Sequence, residues 1–348
     1  MSFRKLWARV FPAGGGMEPG PRDAMLNRQR VVILLLKLAE RPVSRTELTK
    51  WCFLLRHESE TQGGPAFYDF VPYRYGPFSF ALDQEAEKLV AENYLHDDGQ
   101  NCWTLNPELA GTVGTLDRDV ERDVRRLLCR VGKSDVASLV DSVYERYPAF
   151  TVNSERRRLA PRPEAQPAVY TAGYEGLSID AFLNLLVVSG IRRLIDVRNN
   201  PIARRYGFHK STLDRLTSRL GIDYVHLPEL GILSADRRGL TDQNAYDRLF
   251  DTYENTLLRN ETEAIDAVGR LVTESPSVLV CMESKPQCCH RSRLAATVSR
   301  RTNLAIQHLP GGTLSAGISK PAHQNSKSEP RPEHRSGTRA AQSGGGFP

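Results

Sequence analysis

The 348-residue chain has no run approaching the roughly 18 apolar residues that a membrane-spanning helix requires. Its densest stretch, Val31-Val32-Ile33-Leu34-Leu35-Leu36, is interrupted at once by Lys37. Membrane insertion, and with it a membrane partner, is therefore excluded as an expectation. The first dozen residues are basic, but Arg9 breaks their apolar part and no signal-type hydrophobic region follows. Met17 and Met25 serve equally well as starts. Six cysteines without a secretory leader give no disulfide framework, so a cytoplasmic protein is expected.

Surplus charge is also missing where a folded domain would need it. The chain carries +6, but residues 1–30 hold +4 and residues 314–348 hold +3. The remaining 31–313 sum to −1, so overall basicity says little about what the folded part touches.

What is present divides the chain. Residues 1–27 and 313–348, rich in Gly, Pro, Ser and Arg, read as disordered. An Arg run with several prolines marks 154–167 as a linker. It separates a helical unit at 28–153 from an α/β unit at 168–312. In the first unit, helices are expected at 28–39, 45–55 and 79–92, with Ser44 and Glu47 forming a capping box. A turn at Gly76-Pro77 precedes the third helix. A hairpin over 94–105 and helices at 115–131 and 135–147 follow. Helix, helix, helix, hairpin is the order of a winged helix.

The second unit alternates apolar strands (168–172, 193–197, 223–226, 277–282, 304–308) with helices (178–189, 210–220, 242–259, 261–273, 292–301). That alternation predicts a mostly parallel sheet with helices on both faces. Ligands then bind beyond the carboxyl ends of the strands. Four loops lie there.

The first loop, Gly173-Tyr174-Glu175-Gly176-Leu177, ends at Ser178, placed to cap a helix. It is either an anion cradle or a plain tight turn, and matches neither a dinucleotide fingerprint nor a Walker loop. The second runs from Asp196-Val197-Arg198 through Arg204, Arg205, Tyr206, Phe208, His209 and Lys210. Residues 192–219 carry a local +6 with interleaved aromatic rings, a mixture suited to phosphate and base contacts. A solvated face with a structural Asp196–Arg198 pair is the alternative. The third holds His226 and Glu229, and a single imidazole there is often a satisfied core group.

The fourth loop reads Cys281-Met282-Glu283-Ser284-Lys285-Pro286-Gln287-Cys288-Cys289-His290-Arg291. A cysteine entering a helix beside His and Arg sits where a thiolate is favoured. The spacing matches no common zinc pattern, so no metal or other cofactor is implied. The sixth residue after Cys281 is Gln287 rather than Arg, which argues against a thiol phosphatase. Polar pocket residues without covalent chemistry remain an alternative. Cys52, Cys102 and Cys129 have no partner pattern and read as small core residues.

Taken together, Gly173-Tyr174-Glu175-Gly176, Asp196-Val197-Arg198 with Pro201, Gly207-Phe208 with Lys210, Leu230-Gly231, Cys281 with Glu283, and Cys289-His290-Arg291 resemble the uncharacterised bacterial and archaeal domain of unknown function 488. The resemblance spans about 168–300. It implies a compact α/β domain whose signature residues gather in one cleft, and with the charged second loop this makes Tyr174, Asp196, Arg198, Arg204, Lys210 and Cys281 the expected ligand-binding positions. It implies no reaction. Two departures stand out: Cys288 doubles the cysteine before His290, and residues 232–240 are idiosyncratic at the cleft's rim.

Tyr73-Arg74-Tyr75-Gly76-Pro77-Phe78-Ser79 gives the first unit a looser resemblance to winged-helix and SocA-like antitoxin domains. Residues 31–110 nevertheless carry −5, which opposes simple operator binding. Arg45, Lys50 and Arg56 offer a small basic face for DNA; protein contact, including self-association, is the other use.

Three functions follow. One is an enzyme acting on nucleic acid or a nucleotide, with Asp196, Arg198, Arg204 and Lys210 holding the anion. Glu283, Cys289 and His290 would then do acid–base or nucleophilic work, with Arg291 stabilising developing charge. The second is a non-enzymatic regulator that binds DNA or a partner and senses an anionic ligand. The third is a zinc or redox switch built on Cys281, Cys288, Cys289 and His290.

Overall fold

The computed structural model describes residues 25–310, apart from 110, 112, 204, 234 and 238–241. The tail at 313–348 lies outside the described residues, as does nearly all of 1–27.

The N-terminal segment begins with α1 (Asn27–Ala39), stopped by Glu40 in the left-handed conformation. Strand β1 (Val43–Ser44) leads into α2 (Arg45–Glu58). Ser44 caps α2 by accepting the Glu47 amide at 3.2 Å. Only half of the expected capping box forms, because the Glu47 carboxylate turns to Arg41 instead. A two-stranded ribbon follows, β2 (Val71–Tyr73) with β3 (Gly76–Phe78). The turn is therefore Arg74–Tyr75, whereas Gly76-Pro77 was expected to make it. Pro77 is tolerated in β3 because the ribbon has only two strands and needs no second ladder.

Helix α3 (Phe80–Ala91), the hairpin of β4 (Leu95–Asp97) with β5 (Cys102–Leu105), and helices α4 (Arg118–Val131) and α5 (Val136–Arg146) complete this segment. β1 joins the hairpin in the order β1-β5-β4, all antiparallel. Val120, Val124, Leu127 and Val131 recur at helical spacing and bury one face of α4. Phe53 of α2 packs edge-on against Phe70, Tyr147 and Phe150.

Residues 154–167 contain no helix or strand, yet they are pinned. Arg162 donates to the Leu220 carbonyl at 2.7 Å and Leu159 to the Thr151 hydroxyl at 2.8 Å.

The α/β unit alternates β6 (Val169–Gly173), α6 (Ile179–Val188), β7 (Arg193–Asp196), α7 (Lys210–Arg219) and β8 (Asp223–His226). It continues with α8 (Gln243–Asn255), α9 (Leu257–Asn260), α10 (Thr262–Glu274), β9 (Ser277–Cys281), α11 (His290–Thr302) and β10 (Ile306–His308). The five strands form one parallel sheet in the order β10-β6-β9-β7-β8. Tyr170, Ala172, Leu194, Val278 and Val280 face one core with α6 and α7. Val169, Ile195 and Leu279 face the other with α10 and α11. Burial on both faces explains why these strands read as apolar runs rather than alternating patterns.

Two helix expectations change. The helix expected over 242–259 breaks at Thr256, whose hydroxyl bonds the Thr252 carbonyl while Asn255 bonds that of Asp251. The Thr256 amide still bonds the Thr252 carbonyl, so the side-chain bonds add to the ladder there and bend the helix rather than replace its bonds. The last helix starts at His290 instead of 292, so His290 and Arg291 sit in its first turn.

The two segments pack within one compact unit. Val71, Phe80 and Val152 join the α6/α7 core. No helix among the described residues is long and apolar enough to cross a membrane.

Candidate active site

β7 and β9 are neighbours in the sheet, with Asp196 opposite Val280. Their carboxyl ends therefore deliver residues 197–199 and 281–283 to one place. Gly173, at the end of β6, permits the approach: a Cβ there would stand 1.9 Å from the Glu283 carbonyl oxygen. Gly231 does the same for the neighbouring loop, since its Cβ would meet the Asn199 nitrogen at 2.1 Å.

Where these ends meet, Cys281 is fully buried, and Cys289 and His290 are each 1% exposed. The two sulfurs and a ring nitrogen of His290 all lie within 4.8 Å of one another. Nδ1 of His290 is 3.8 Å from Cys281 Sγ and 3.9 Å from Cys289 Sγ. Its Nε2 lies 3.1 Å from the Val197 carbonyl oxygen. A carbonyl only accepts, so Nε2 carries the proton and Nδ1 turns its lone pair toward the sulfurs. Tyr253 packs edge-on over the ring at 5.4 Å and is itself tied to the Leu230 carbonyl.

Glu283 closes the group. Its Oε2 is 2.9 Å from Cys281 Sγ, and its Oε1 accepts from Arg237 at 2.6 Å. Arg237 also donates to His290 Nδ1 at 3.1 Å. Burial opposes ionisation of Cys281, yet the neighbouring Cys289 thiol and the positive charge of Arg237 hold its thiol well below the ordinary range. Burial and the neighbouring sulfur push Cys289 well above it and raise Glu283. One buried negative charge thus suppresses the next, as expected for like charges sharing a site.

The other expected site residues have different surroundings. Arg198 was expected to hold an anionic substrate, but its guanidinium is already engaged. It grips Asp196 at 2.8 and 2.6 Å and donates to the Tyr174 hydroxyl and the Phe208 carbonyl. Asp196 is fully buried and also accepts from Tyr224 at 2.6 Å. Tyr174 stacks on Phe208 with centroids 4.1 Å apart. These three residues form a buried brace. Arg291 is 1% exposed and clamps the Glu283 and Ser284 carbonyls, so it shapes the fourth loop.

Glu175 accepts from the Ser284 amide at 3.0 Å, which makes the first loop a strut for the fourth. Lys210 is exposed and donates to His226 Nδ1 at 2.9 Å, while His226 Nε2 donates to the Arg198 carbonyl. The two histidines thus hold consecutive carbonyls of β7's exit, from His226 and from His290. Arg204 lies outside the described residues. Cys288 is half-buried and has no part in the cluster.

The basic face expected on α2 does not form. Lys50 is 2% exposed and donates to the Tyr75 and Pro77 carbonyls, and its burial brings its pKa down to about 7. Arg45 and Arg56 pair with Asp97 and Asp69.

Arg237 is the functional-site residue that sequence reasoning missed. It lies in the idiosyncratic rim segment, and only its place after Leu230-Gly231 hinted at the cleft.

The fold and the cluster define the class: a parallel α/β domain with a thiol–imidazole–carboxylate centre at the carboxyl edge of its sheet. Residues 178–298 match the family model described as Domain of unknown function DUF488, so the C-terminal unit is similar to that family over this stretch. The match runs from the Ser178 cap into α11, ending at residue 298, and includes the whole cluster. No curated protein and no solved structure matches the chain.

Proposed function

We propose that the α/β unit is an enzyme acting on a nucleotide or nucleic acid in a reducing, cytoplasmic setting. The observation that carries this reading is the convergence of Cys281, Glu283, Cys289 and His290 with Arg237 where β7 and β9 end. The sulfurs and Nδ1 supply electron pairs, Glu283 moves a proton, and Arg237 meets substrate anion at the mouth. The exposed Arg205 and Lys210 on the second loop extend positive charge for a phosphate-bearing substrate. All six cysteines are unpaired thiols, which suits the compartment.

The test incubates wild type, Glu283→Gln and Cys281→Ala with nucleoside phosphates and labelled single- and double-stranded DNA and RNA. Turnover by wild type that falls at least about 100-fold in both variants supports the reading. Absence of product from every substrate, or variants as fast as wild type, removes it.

A second reading, a regulator binding DNA or a partner through a winged-helix-like N-terminal unit, is supported by the strand order β1-β5-β4 among α1, α2 and α3. The exposed arginines of α4, Arg118, Arg122, Arg125, Arg126 and Arg130, line a shallow surface with Glu121 and Cys129, and four of the five also pair with acidic neighbours. This second reading requires duplex affinity that falls steeply with salt and is lost on substituting those arginines. Salt-insensitive or absent binding counts against it.

A further inference from the structure

The three buried donors satisfy a requirement that the chain spacing alone did not reveal. Zinc bonds of about 2.3 Å to sulfur and about 2.0 Å to nitrogen, at tetrahedral angles, place sulfur and nitrogen about 3.6 Å apart. The observed separations of 3.8 and 3.9 Å from His290 Nδ1 are only a few tenths wider. The Nε2–H of His290 is anchored on the Val197 carbonyl, the outer contact that fixes a ligating imidazole in metal sites. The sulfurs sit beneath a partly exposed Arg237, whose guanidinium already brings positive charge to Nδ1 and Glu283.

We infer that Cys281 Sγ, Cys289 Sγ and His290 Nδ1 bind one zinc ion, with the fourth position left for water or substrate. Thiolate donors select a soft or borderline cation over magnesium or calcium. Three protein ligands with an open position are the arrangement of catalytic zinc rather than structural zinc. Glu283 stays outside the ligand set, because Arg237 holds one of its oxygens, and remains the proton carrier beside the metal. Arg237 gives up Nδ1 to the ion and keeps Glu283. This deepens the proposed function and rests on the same cluster being the working centre.

The local fold shows why the sequence spacing misled. Cys281 ends a strand, whereas Cys289 and His290 start α11. The turn at Pro286–Cys288 folds the intervening chain back and directs Cys288 out of the cluster. The ligands therefore come from a strand end and a helix start, not from the paired-cysteine turns of common structural sites.

The test uses the full chain, purified in reductant, stripped of metal and titrated with cobalt(II). One equivalent is expected, giving thiolate-to-cobalt charge-transfer absorption and the intense visible bands of four-coordinate cobalt, both abolished by added zinc. Cys281→Ser and Cys289→Ser are each expected to weaken binding more than about 10-fold. Cys288→Ser should bind as wild type, and Glu283→Gln should still bind one equivalent. Should the serine variants fail to fold, X-ray absorption of the wild-type zinc protein decides, with two sulfurs and one imidazole nitrogen in the first coordination sphere expected.

Three results overturn the inference: no charge-transfer band in reduced wild type, a band that survives in the double serine variant, or a different sulfur count. Its fate is separable from that of the proposed function. Metal bound without turnover on any substrate leaves the zinc site standing and removes the enzyme. Turnover by a protein that gives any of those three results leaves the enzyme standing and removes the zinc site.

Discussion

The Asp180 carboxylate on α6 accepts the backbone amide of Phe80 at 2.7 Å, capping the first turn of α3 from another part of the chain. It also accepts from the Ala81 amide at 3.0 Å and the Ser79 hydroxyl at 2.9 Å, and it is fully buried. Asp180→Ala leaves all three donors without this acceptor, at roughly 1–3 kcal/mol for each group left unsatisfied. Relief of the buried charge offsets part of this. A net loss of about 2–4 kcal/mol is expected in urea unfolding; a loss below about 0.5 kcal/mol would show that the contact is dispensable.

The same residue sets a pH dependence. Burial raises its pKa from 3.8 to about 7, against the pull of its hydrogen bonds. A carboxyl whose folded pKa is raised favours the fold in its protonated form. The stability that comes from binding this proton is therefore complete below about 3.8, declines as pH rises, and is gone above about 7. Wild type measured against Asp180→Asn should lose stability steadily across that window and level off beyond it. A flat or rising difference is incompatible with a protonated cap.

Arg198 and Asp196 make a buried ion pair, so removing one partner strands the other. Arg198→Met is expected to destabilise by about 3–5 kcal/mol, and adding Asp196→Asn should recover much of that. A substrate-gripping Arg198 would behave differently, leaving stability intact while weakening KM. Equilibrium unfolding of both variants and the double mutant separates these outcomes.

Gly173→Ala places a methyl against the Glu283 carbonyl. The loop must shift to accept it, at about 1–3 kcal/mol by analogy with overpacked cores. The shift also disturbs the Arg291 clamp on the same carbonyl. Cobalt spectra of this variant should lose intensity while far-ultraviolet dichroism stays native. Unchanged spectra would mean that the β6–loop approach does not position the donors.

Thiol accessibility orders the six cysteines. Cys129 is exposed, Cys102 and Cys288 are partly so, and Cys52, Cys281 and Cys289 are buried. Alkylation of native protein, mapped by mass spectrometry, should modify Cys129 first and spare the buried three until denaturant is added. Rapid native labelling of Cys281 or Cys289 contradicts a closed centre.

Much of this architecture was legible because the strands are short apolar runs between glycine and polar turns. The 223–226 strand coincides with its expected bounds, and the others differ by one or two residues. The start of α11 escaped notice because Cys289 at its N-cap makes no side-chain cap bond. No Ser, Thr, Asp or Asn marked the boundary. The role of Arg198 was ambiguous for a different reason: an acid and a base two residues apart look the same whether they face solvent or each other. Burial decides between those cases, and burial depends on Tyr174, Phe208 and Tyr224 arriving from distant segments. Arg237 was unreadable because its contacts with Glu283 and His290 span 46 and 53 residues of chain.

Four of the five cluster residues fall within one short stretch, 281–290, so only a small loop must close to bring the two sulfurs and the imidazole together. Loop closure of this size carries little entropy loss compared with recruiting a residue across half a domain. The donors can therefore assemble as soon as β9 joins its neighbours and α11 winds, before the rim is in place. Arg237 arrives across 46 and 53 residues of chain and carries the larger loop-closure penalty. Removing the Arg237 side chain is therefore expected to leave the two sulfurs and the imidazole in place while freeing Glu283 from its cationic partner.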